Sequence, residues 1–273
     1  MNALKKSNFV ARLATNKAEI EAAQRLRFDV FYQELSAKPN KRVSLTGRDI
    51  DKFDEICEHI LVVYTGPSSM LSSVQVIDGE LVGTYRLLPQ QVAQQNFGFY
   101  SQTEFDVAPL LAAKENLSFL ELGRSCVAEQ FRTKPVLELL WQEIWNYVRE
   151  HNVDVLMGCA SIVGTDPKKL KLPLSYLATN HQPPSDWMVS AQPTQELLRI
   201  TAQTLTAQDS RKARLMLPPL IRSYLRIGAY IGDEAVVDYQ FGTTDVLVLL
   251  PISNIKPNYF DRFGYPPQSP AKQ

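Results

Sequence analysis

One apolar stretch of this chain carries two charges that need explaining. Residues 117–127 read LSFLELGRSCV, a pattern typical of a buried strand, yet Glu121 and Arg124 lie within it. Burying one unpaired charge costs several kcal/mol, roughly, so such groups are buried either in pairs or for chemistry. The stretch therefore predicts a core strand that also carries functional or ion-paired side chains.

The residues that follow this strand indicate the fold class. A helix is predicted from Pro135 to Glu150, and the nearly all-apolar run from Val153 to Ala160 predicts a strand covered on both faces. Strand, helix and strand in this order predict a parallel crossover. We therefore predict an α/β fold with a mixed central sheet flanked by helices.

The rest of the chain is read from periodicity. A helix is predicted from Lys17 to Leu35, and strands are predicted over 9–15, 59–64, 81–88, 235–242 and 245–251. The polar stretch 36–50 and the connection 90–114 are predicted to be loops. We expect a core at 1–165 and a C-terminal extension at 166–273 that packs on the same domain.

Composition narrows the class of partner. The formal net charge is zero, so bulk electrostatics give no reason to expect nucleic-acid binding. Three cysteines without metal-like spacing predict reduced thiols, and no run approaches the roughly 20 apolar residues that span a bilayer. We expect a cytoplasmic protein whose contact with the inner membrane, if any, is peripheral, through the basic amphipathic segment 211–226.

Charged residues of both signs are spread over the first half of the chain. Together they could hold an amino acid at both ends, because arginines bind a carboxylate and aspartates bind an ammonium group. Phe31, one helical turn after the first of them, is a candidate for the edge of the same cleft. The set comprises Arg27, Asp51, Asp54, Arg86, Glu121 and Arg124.

A second candidate site begins just after the charged strand. A carboxylate on a strand, then a basic turn, then a helix N-terminus is the arrangement expected of an acyl-thioester site. The carboxylate Glu121 can take a proton, and the helix end beside Arg132 can hold a phosphate.

Several motifs resemble known families. Arg27-x3-Phe31, Asp51-x2-Asp54, Arg86-Leu-Leu-Pro and Glu121-x2-Arg124 resemble the acyl-homoserine-lactone synthase branch of the GNAT superfamily, although the tryptophan expected after the first helix is missing. The longer segments ELGRSCV at 121–127 and LPPLIRSYLRIGA at 217–229 resemble the bacterial ornithine–acyl carrier protein N-acyltransferases. That second resemblance runs from about Arg25 to Phe263.

The resemblance implies a GNAT-like acyltransferase fold and a lipid-biosynthetic acyltransferase activity. The enzyme would move a (3-hydroxy)fatty acyl group from acyl carrier protein to the α-amine of ornithine or a related amino acid, giving a lyso-aminolipid. No intrinsic cofactor and no metal are implied, because the donor is acyl-phosphopantetheine on the carrier protein. The implied roles are catalytic for Glu121 and Arg124, acceptor-binding for Arg27, Phe31, Asp51, Asp54 and Arg86, and phosphopantetheine-binding for Arg132, Thr133 and Lys134.

Three alternatives stay open at the level of sequence. The chain could be an acyl-homoserine-lactone synthase that uses S-adenosylmethionine, although the region from Asp166 onward argues against this. It could be a non-catalytic acyl-binding or lipid-binding protein. The acceptor could also be lysine, glycine or tyrosine rather than ornithine.

Overall fold

The computed structural model describes residues 4–6, 8–67, 74–76, 78–256 and 259. These residues form ten strands: β1 (Leu4–Lys6), β2 (Phe9–Leu13), β3 (Glu58–Tyr64), β4 (Gln75–Val76), β5 (Gly79–Pro89), β6 (Phe119–Val127), β7 (Val155–Val163), β8 (Leu197–Arg199), β9 (Tyr230–Asp238) and β10 (Thr243–Pro251). They also form eight α-helices: α1 (Lys17–Phe28), α2 (Lys41–Thr46), α3 (Gln90–Gln95), α4 (Ala108–Ala113), α5 (Lys134–Glu150), α6 (Pro167–His181), α7 (Ala207–Met216) and α8 (Pro219–Ile227).

The contacts divide the chain into two compact units. The first comprises the described residues within 1–92 and 122–152, and the second those within 93–121 and 153–265. The strand β6 contributes its first three residues to the second unit and the others to the first. The predicted boundary at residue 165 stays a prediction.

The first unit is built on antiparallel strands. β2 pairs with both β1 and β3, and β5 pairs with both β3 and β4, with Phe9 opposite Tyr64 and Glu58 opposite Leu87. The interiors of β3 and β5 are buried at every position, so both faces of these strands must be covered. Helices α1 and α5 pack on them.

The second unit contains the parallel pairing that makes the sheet mixed. The start of β6 runs parallel to β7, with Phe119 opposite Val155, as the strand–helix–strand pattern predicted. β7 then pairs antiparallel with β10, β10 with β9, and β9 with β8. Helix α6 packs on β9 and on α7. The predicted α/β class with a mixed sheet is confirmed.

Two predicted loops contain helices. In the stretch 36–50, the Asn40 side chain accepts a hydrogen bond from Val43 N at 3.0 Å and begins α2, and Gly47, with φ of 59°, ends it. The connection 90–114 contains α3 and α4. These helices have six residues each, too few for a hydrophobic period to be recognised.

The first predicted helix changes type before its end. The α-helix stops at Phe28, and Asp29–Glu34 continue as a π-helix, with Leu35 N bonded to Val30 O at 3.0 Å. A π-turn shifts the side chains that follow it, and such turns are often found at functional sites. No α-helix in the described part of the chain is long and apolar enough to cross a bilayer.

Candidate active site

Arg27 is the centre of a charged cluster in the first unit. Its guanidinium is fully buried and donates from Nε to Asp49 Oδ2 at 2.8 Å and from Nη2 to Asp54 Oδ1 at 2.8 Å. Gln24, one turn earlier on α1, donates to Asp54 Oδ2 at 3.0 Å. Tyr32 of the π-helix donates its hydroxyl to Asp49 at 3.0 Å, so α1 and the π-helix together hold two carboxylates.

The spacing of Asp51 and Asp54 has a local cause. Asp51 caps the 3₁₀-turn Lys52–Glu55, and its side chain accepts from Phe53 N at 2.9 Å. Asp54 accepts in return from Asp51 N at 3.1 Å. This reciprocal capping fixes both carboxylates three residues apart, and Asp54 is turned inward toward Arg27.

Two further arginines complete the cluster from neighbouring parts of the unit. Arg86 on β5 donates to Asp51 at 2.7 Å and to Asp54 at 3.2 Å. Arg124 on β6 donates to Asp49 at 3.2 Å and to Asp51 at 3.3 Å. Arg124 has a left-handed backbone, with φ of 53°, which costs a non-glycine residue roughly 1–2 kcal/mol. The strand is therefore distorted at the residue that reaches the cluster.

The arginines set the ionisation of the buried acids. Burial favours the neutral form of Asp54, but Arg27 and Arg86 outweigh it and lower the pKa of Asp54 to about 2. Burial likewise opposes ionisation of Asp49, yet Arg124 and Arg27 hold its pKa below the ordinary value. All three aspartates are therefore matched by three arginines, and the cluster has no excess charge.

His59 lies against this cluster as a neutral ring. Its Nε2 is 3.1 Å from the backbone carbonyl oxygen of Asp54. Burial, together with the nearby Arg27, lowers the pKa of His59 to about 4. The neutral ring therefore adds no further positive charge to the cluster at neutral pH.

The cluster is buried at one end and open at the other. Arg27, Asp49 and Asp54 have side chains that are at most 4% exposed, whereas Asp51 is 22% and Arg124 is 15% exposed. The inner groups therefore act as a scaffold. The outer pair offers one carboxylate and one guanidinium, which is the chemistry that a zwitterionic amino acid requires.

The sequence located most of this cluster, and it missed some members. Arg27, Asp51, Asp54, Arg86 and Arg124 come together, while Phe31 lies half-buried in the π-helix. The missed members are Asp49, Tyr32, Gln24 and His59. An aspartate two residues before Asp51 was the available signal for Asp49, but burial of a polar loop residue cannot be seen in a sequence.

Glu121 lies in the second unit, where it binds a turn. Its carboxylate accepts from the backbone N–H groups of Tyr100 and Ser101, each at 2.7 Å, and from the Ser101 hydroxyl. The side chain is nearly buried. These bonds fix the carboxylate at the N-terminus of the 3₁₀-turn Tyr100–Thr103, where negative charge is favoured.

The predicted phosphate site occupies the start of α5. Arg132 binds Glu34 through two parallel bonds of 2.6 Å and also donates to Val127 O at 3.0 Å. Thr133 is the N-cap residue, but its side chain makes no capping bond, and Lys134 is the first helical residue. The helix thus begins with a hydroxyl and an ammonium group at its positive end.

The cysteines carry no reactive signature. All three are free thiols, and burial raises the pKa of Cys126 to about 12. Among the described residues, no group of histidine, cysteine and acidic side chains is placed to hold a metal ion.

Comparison with known protein families finds one matching domain. Residues 26–142 match the acetyltransferase (GNAT) domain family. This matched range contains the three arginines and three aspartates of the cluster, Glu121 and the start of α5.

Two curated relatives are similar over nearly the full chain. The L-ornithine N(alpha)-acyltransferase of Rhizobium meliloti (strain 1021) is 44% identical over 259 residues, covering 94% of this chain and 85% of the relative. The protein of the same name from Brucella abortus (strain 2308) is 43% identical over 257 residues, covering 93% and 88%. Among solved structures, FeeM, an N-acyl amino acid synthase from uncultured soil microbes, matches with a TM-score of 0.44 at 12% identity, covering 90% of this chain and 91% of that chain.

Proposed function

The chain belongs to the family of the L-ornithine N(alpha)-acyltransferases and is an acyltransferase, and from this premise we propose its reaction in detail. It transfers a fatty acyl group, 3-hydroxylated in the favoured case, from acyl carrier protein to the α-amine of ornithine or a closely related amino acid. The product is a lyso-aminolipid.

The open end of the charged cluster is the observation that carries this proposal. Arg124 binds the carboxylate of the acceptor and Asp51 receives its ammonium group, while Arg86 keeps Asp51 in place at 2.7 Å. In the buried part of the cluster, Arg27 and Asp54 keep Asp51 and Arg124 in position. Phe31 contributes an apolar side chain. A carboxylate and a guanidinium held at a fixed spacing bind a small zwitterion better than a neutral amine.

Glu121 is the general base in this proposal. It takes a proton from the acceptor ammonium, directly or through a water molecule, so that the amine can attack the thioester carbonyl. The carbon–nitrogen bond forms, the carbon–sulfur bond breaks, and the carrier thiol leaves with a proton. The bonds from Tyr100 and Ser101 support this role because they hold the carboxylate in one orientation.

The donor arm binds at the start of α5. Arg132, Thr133 and the ammonium group of Lys134 receive the phosphate of phosphopantetheine, helped by the positive helix end. The Arg132–Glu34 pair is partly exposed, so a phosphate can replace Glu34 with little loss of solvation. No intrinsic cofactor takes part.

A basic cleft is the proposed docking region for the acidic carrier protein. It measures about 390 Å³ and is lined by Lys168, Lys171 and Arg199 together with Leu174 and Leu198. In the described part of the chain no carboxylate lies within ion-pair distance of these three cations, although Asp166 caps the helix beside them. Arg199 interacts electrostatically with Asp233, whereas Lys168 and Lys171 are exposed, and exposed positive charge of this kind favours an acidic partner. We place the enzyme in the cytoplasm with peripheral contact at the inner membrane.

The direct test combines two measurements. Purified protein, acyl carrier protein loaded with a 3-hydroxyacyl chain, and a panel of ornithine, lysine, glycine and tyrosine are assayed for free carrier thiol and for acylated amino acid by mass spectrometry. We expect product with ornithine and a requirement for the carrier-bound donor. An enzyme that released no thiol with any of these acceptors would contradict the proposal.

The base assignment has its own variant. Glu121→Gln keeps the shape of the side chain and can keep the two bonds from Ser101, while its amide nitrogen cannot accept from Tyr100 N. We expect kcat to fall by about 10²–10⁴-fold in a chain that stays folded. Ser101→Ala is the matched control, because it removes one bond to Glu121 but not the carboxylate. Equal losses in the two variants would reduce Glu121 to a positioning residue.

A further inference from the structure

The helix pair α7–α8 in the second unit has an unusual surface. Most of α7 is exposed, and Ala213 is the one buried residue of this helix. Leu215 is 69% and Met216 is 42% exposed, although both are large apolar side chains. The chain then turns at Leu217, which is buried and anchors the connection to α8.

Helical geometry puts the exposed leucine at the middle of the outer face. Successive residues of an α-helix are rotated by about 100°, so Arg211 and Leu215 share one face and Ala213 lies nearly opposite. Arg214 and Lys212 flank that face on its two sides. An apolar side chain is therefore surrounded by cations on the side of α7 that faces away from the core.

Charge is concentrated in the same segment. Residues 207–227 contain five cations and one carboxylate, in a chain whose formal net charge is zero. The carboxylate, Asp209, is used locally: it accepts from the Thr206 hydroxyl at 2.7 Å. Within the described residues no acidic side chain forms an ion pair with any of the five cations, which are Arg211, Lys212, Arg214, Arg222 and Arg226.

We propose that the outer face of α7 binds the surface of an anionic lipid bilayer. Leu215, at the middle of this face, enters the boundary between headgroups and acyl chains. Arg211, Lys212 and Arg214 lie along the headgroup phosphates, with their aliphatic stems beside the inserted side chain. Each cation near an anionic surface strengthens binding, so these three support reversible attachment.

A bilayer fits this face better than an acidic protein does. An acidic partner would satisfy the cations, but it would give no reason for Leu215 to stand at their centre. An interfacial helix requires both features at once. If the proposed reaction holds, the product carries a fatty chain, and a membrane-bound enzyme releases it where it is soluble.

The test is sedimentation of the full chain with vesicles, without substrates. We expect it to bind vesicles of equimolar phosphatidylcholine and phosphatidylglycerol, to stay in solution with phosphatidylcholine alone, and to dissociate as salt is raised. Leu215→Glu and the double change Arg211→Glu with Arg214→Glu should each weaken partitioning roughly tenfold or more. Val163→Glu is the matched control, because Val163 is 79% exposed and lies outside the cationic segment.

Three results would overturn the inference. One is equal partitioning of wild type and Leu215→Glu, and another is an equal loss in Val163→Glu. The third is a wild-type chain that does not bind anionic vesicles but binds acyl carrier protein through Arg211 and Arg214. Thiol release with soluble substrates is measured in parallel, and it should be unchanged in Leu215→Glu, so failure of the membrane proposal is separable from failure of the proposed reaction.

Discussion

At the scale of single residues, Asp49 is the member on which the stability of the cluster depends most. It is nearly buried, and it accepts from Arg27, Tyr32 and Arg124. Its removal leaves three arginines with two carboxylates in a region that excludes most water. Breaking a buried ion pair on one side costs roughly 3–5 kcal/mol.

We therefore predict that Asp49→Asn lowers the free energy of unfolding by roughly 3–5 kcal/mol, measured by denaturant titration at neutral pH. The matched variant Asp51→Asn changes a more exposed carboxylate and should cost about 1 kcal/mol or less. Asp51→Asn should instead raise the KM for the amino acid. A reversed order of the two stability losses would show that burial does not set their roles.

His59 makes a separate residue-scale prediction about pH. Its pKa is lowered to about 4 in the folded chain, against an ordinary value of 6.5, so the unfolded chain takes up the proton first as pH falls. The stability contributed by the neutral ring is complete above pH 6.5 and is lost between 6.5 and 4. The loss should amount to about 3 kcal/mol.

The measurement is the free energy of unfolding from pH 7 to pH 4, roughly the window set by this shift. His59→Gln keeps a donor toward the Asp54 carbonyl and has no proton to gain, so its profile should be flatter. The exposed His151 serves as the control in His151→Gln. A wild-type profile that is flat across this window would exclude His59 as the cause of acid sensitivity.

At the scale of elements, the π-helix and the start of α5 meet through one ion pair. Glu34 ends the π-helix, and it binds Arg132 in the turn before α5. The glutamate therefore competes with any phosphate that Arg132 would bind. The two elements thus set how readily the proposed donor site opens.

This competition predicts opposite effects from its two partners. Arg132→Ala should raise the KM for acyl carrier protein about tenfold, because a charge-assisted contact to phosphate is lost. Glu34→Gln should lower that KM or leave it unchanged, because it frees Arg132. Steady-state kinetics at varied carrier concentration decide between them, and a KM that rises in both variants would remove Arg132 from the donor site.

At the scale of the whole molecule, charge is distributed unevenly although the chain is neutral. The cleft with Lys168, Lys171 and Arg199 carries cations without a nearby ion pair among the described side chains. Long-range attraction to an acidic protein acts mainly on the association rate and weakens with salt.

We predict that Lys168→Glu combined with Lys171→Glu raises the KM for acyl carrier protein several-fold at low salt and has little effect at high salt. The kcat and the KM for ornithine should not change, because these residues are exposed and outside the proposed catalytic set. Arg211→Glu combined with Arg214→Glu is the charge-matched control on another surface. A salt-independent defect would argue against electrostatic docking at the cleft.

The elements that are long and periodic were predictable from the sequence alone. The predicted strand at 117–127, the predicted helix from Pro135 to Glu150 and the predicted strand at 153–160 are all present, with bounds shifted by one to three residues. Long elements of this kind are recognisable from local sequence pattern. The motif residues Arg27, Asp51, Asp54, Arg86 and Arg124 were also identified. Their spacing resembles that of a known family, and the structure unites them.

Only the tertiary structure decided which charges meet and how deeply they are buried. Asp49 and His59 join the cluster from a loop and a strand that are distant from Arg27 in the chain. The backbone N–H groups of the turn at Tyr100 donate to Glu121, which lies about twenty residues later in the chain. A sequence fixes local periodicity through backbone geometry, whereas burial and pairing arise only after distant segments pack, since they depend on what the rest of the chain excludes from water.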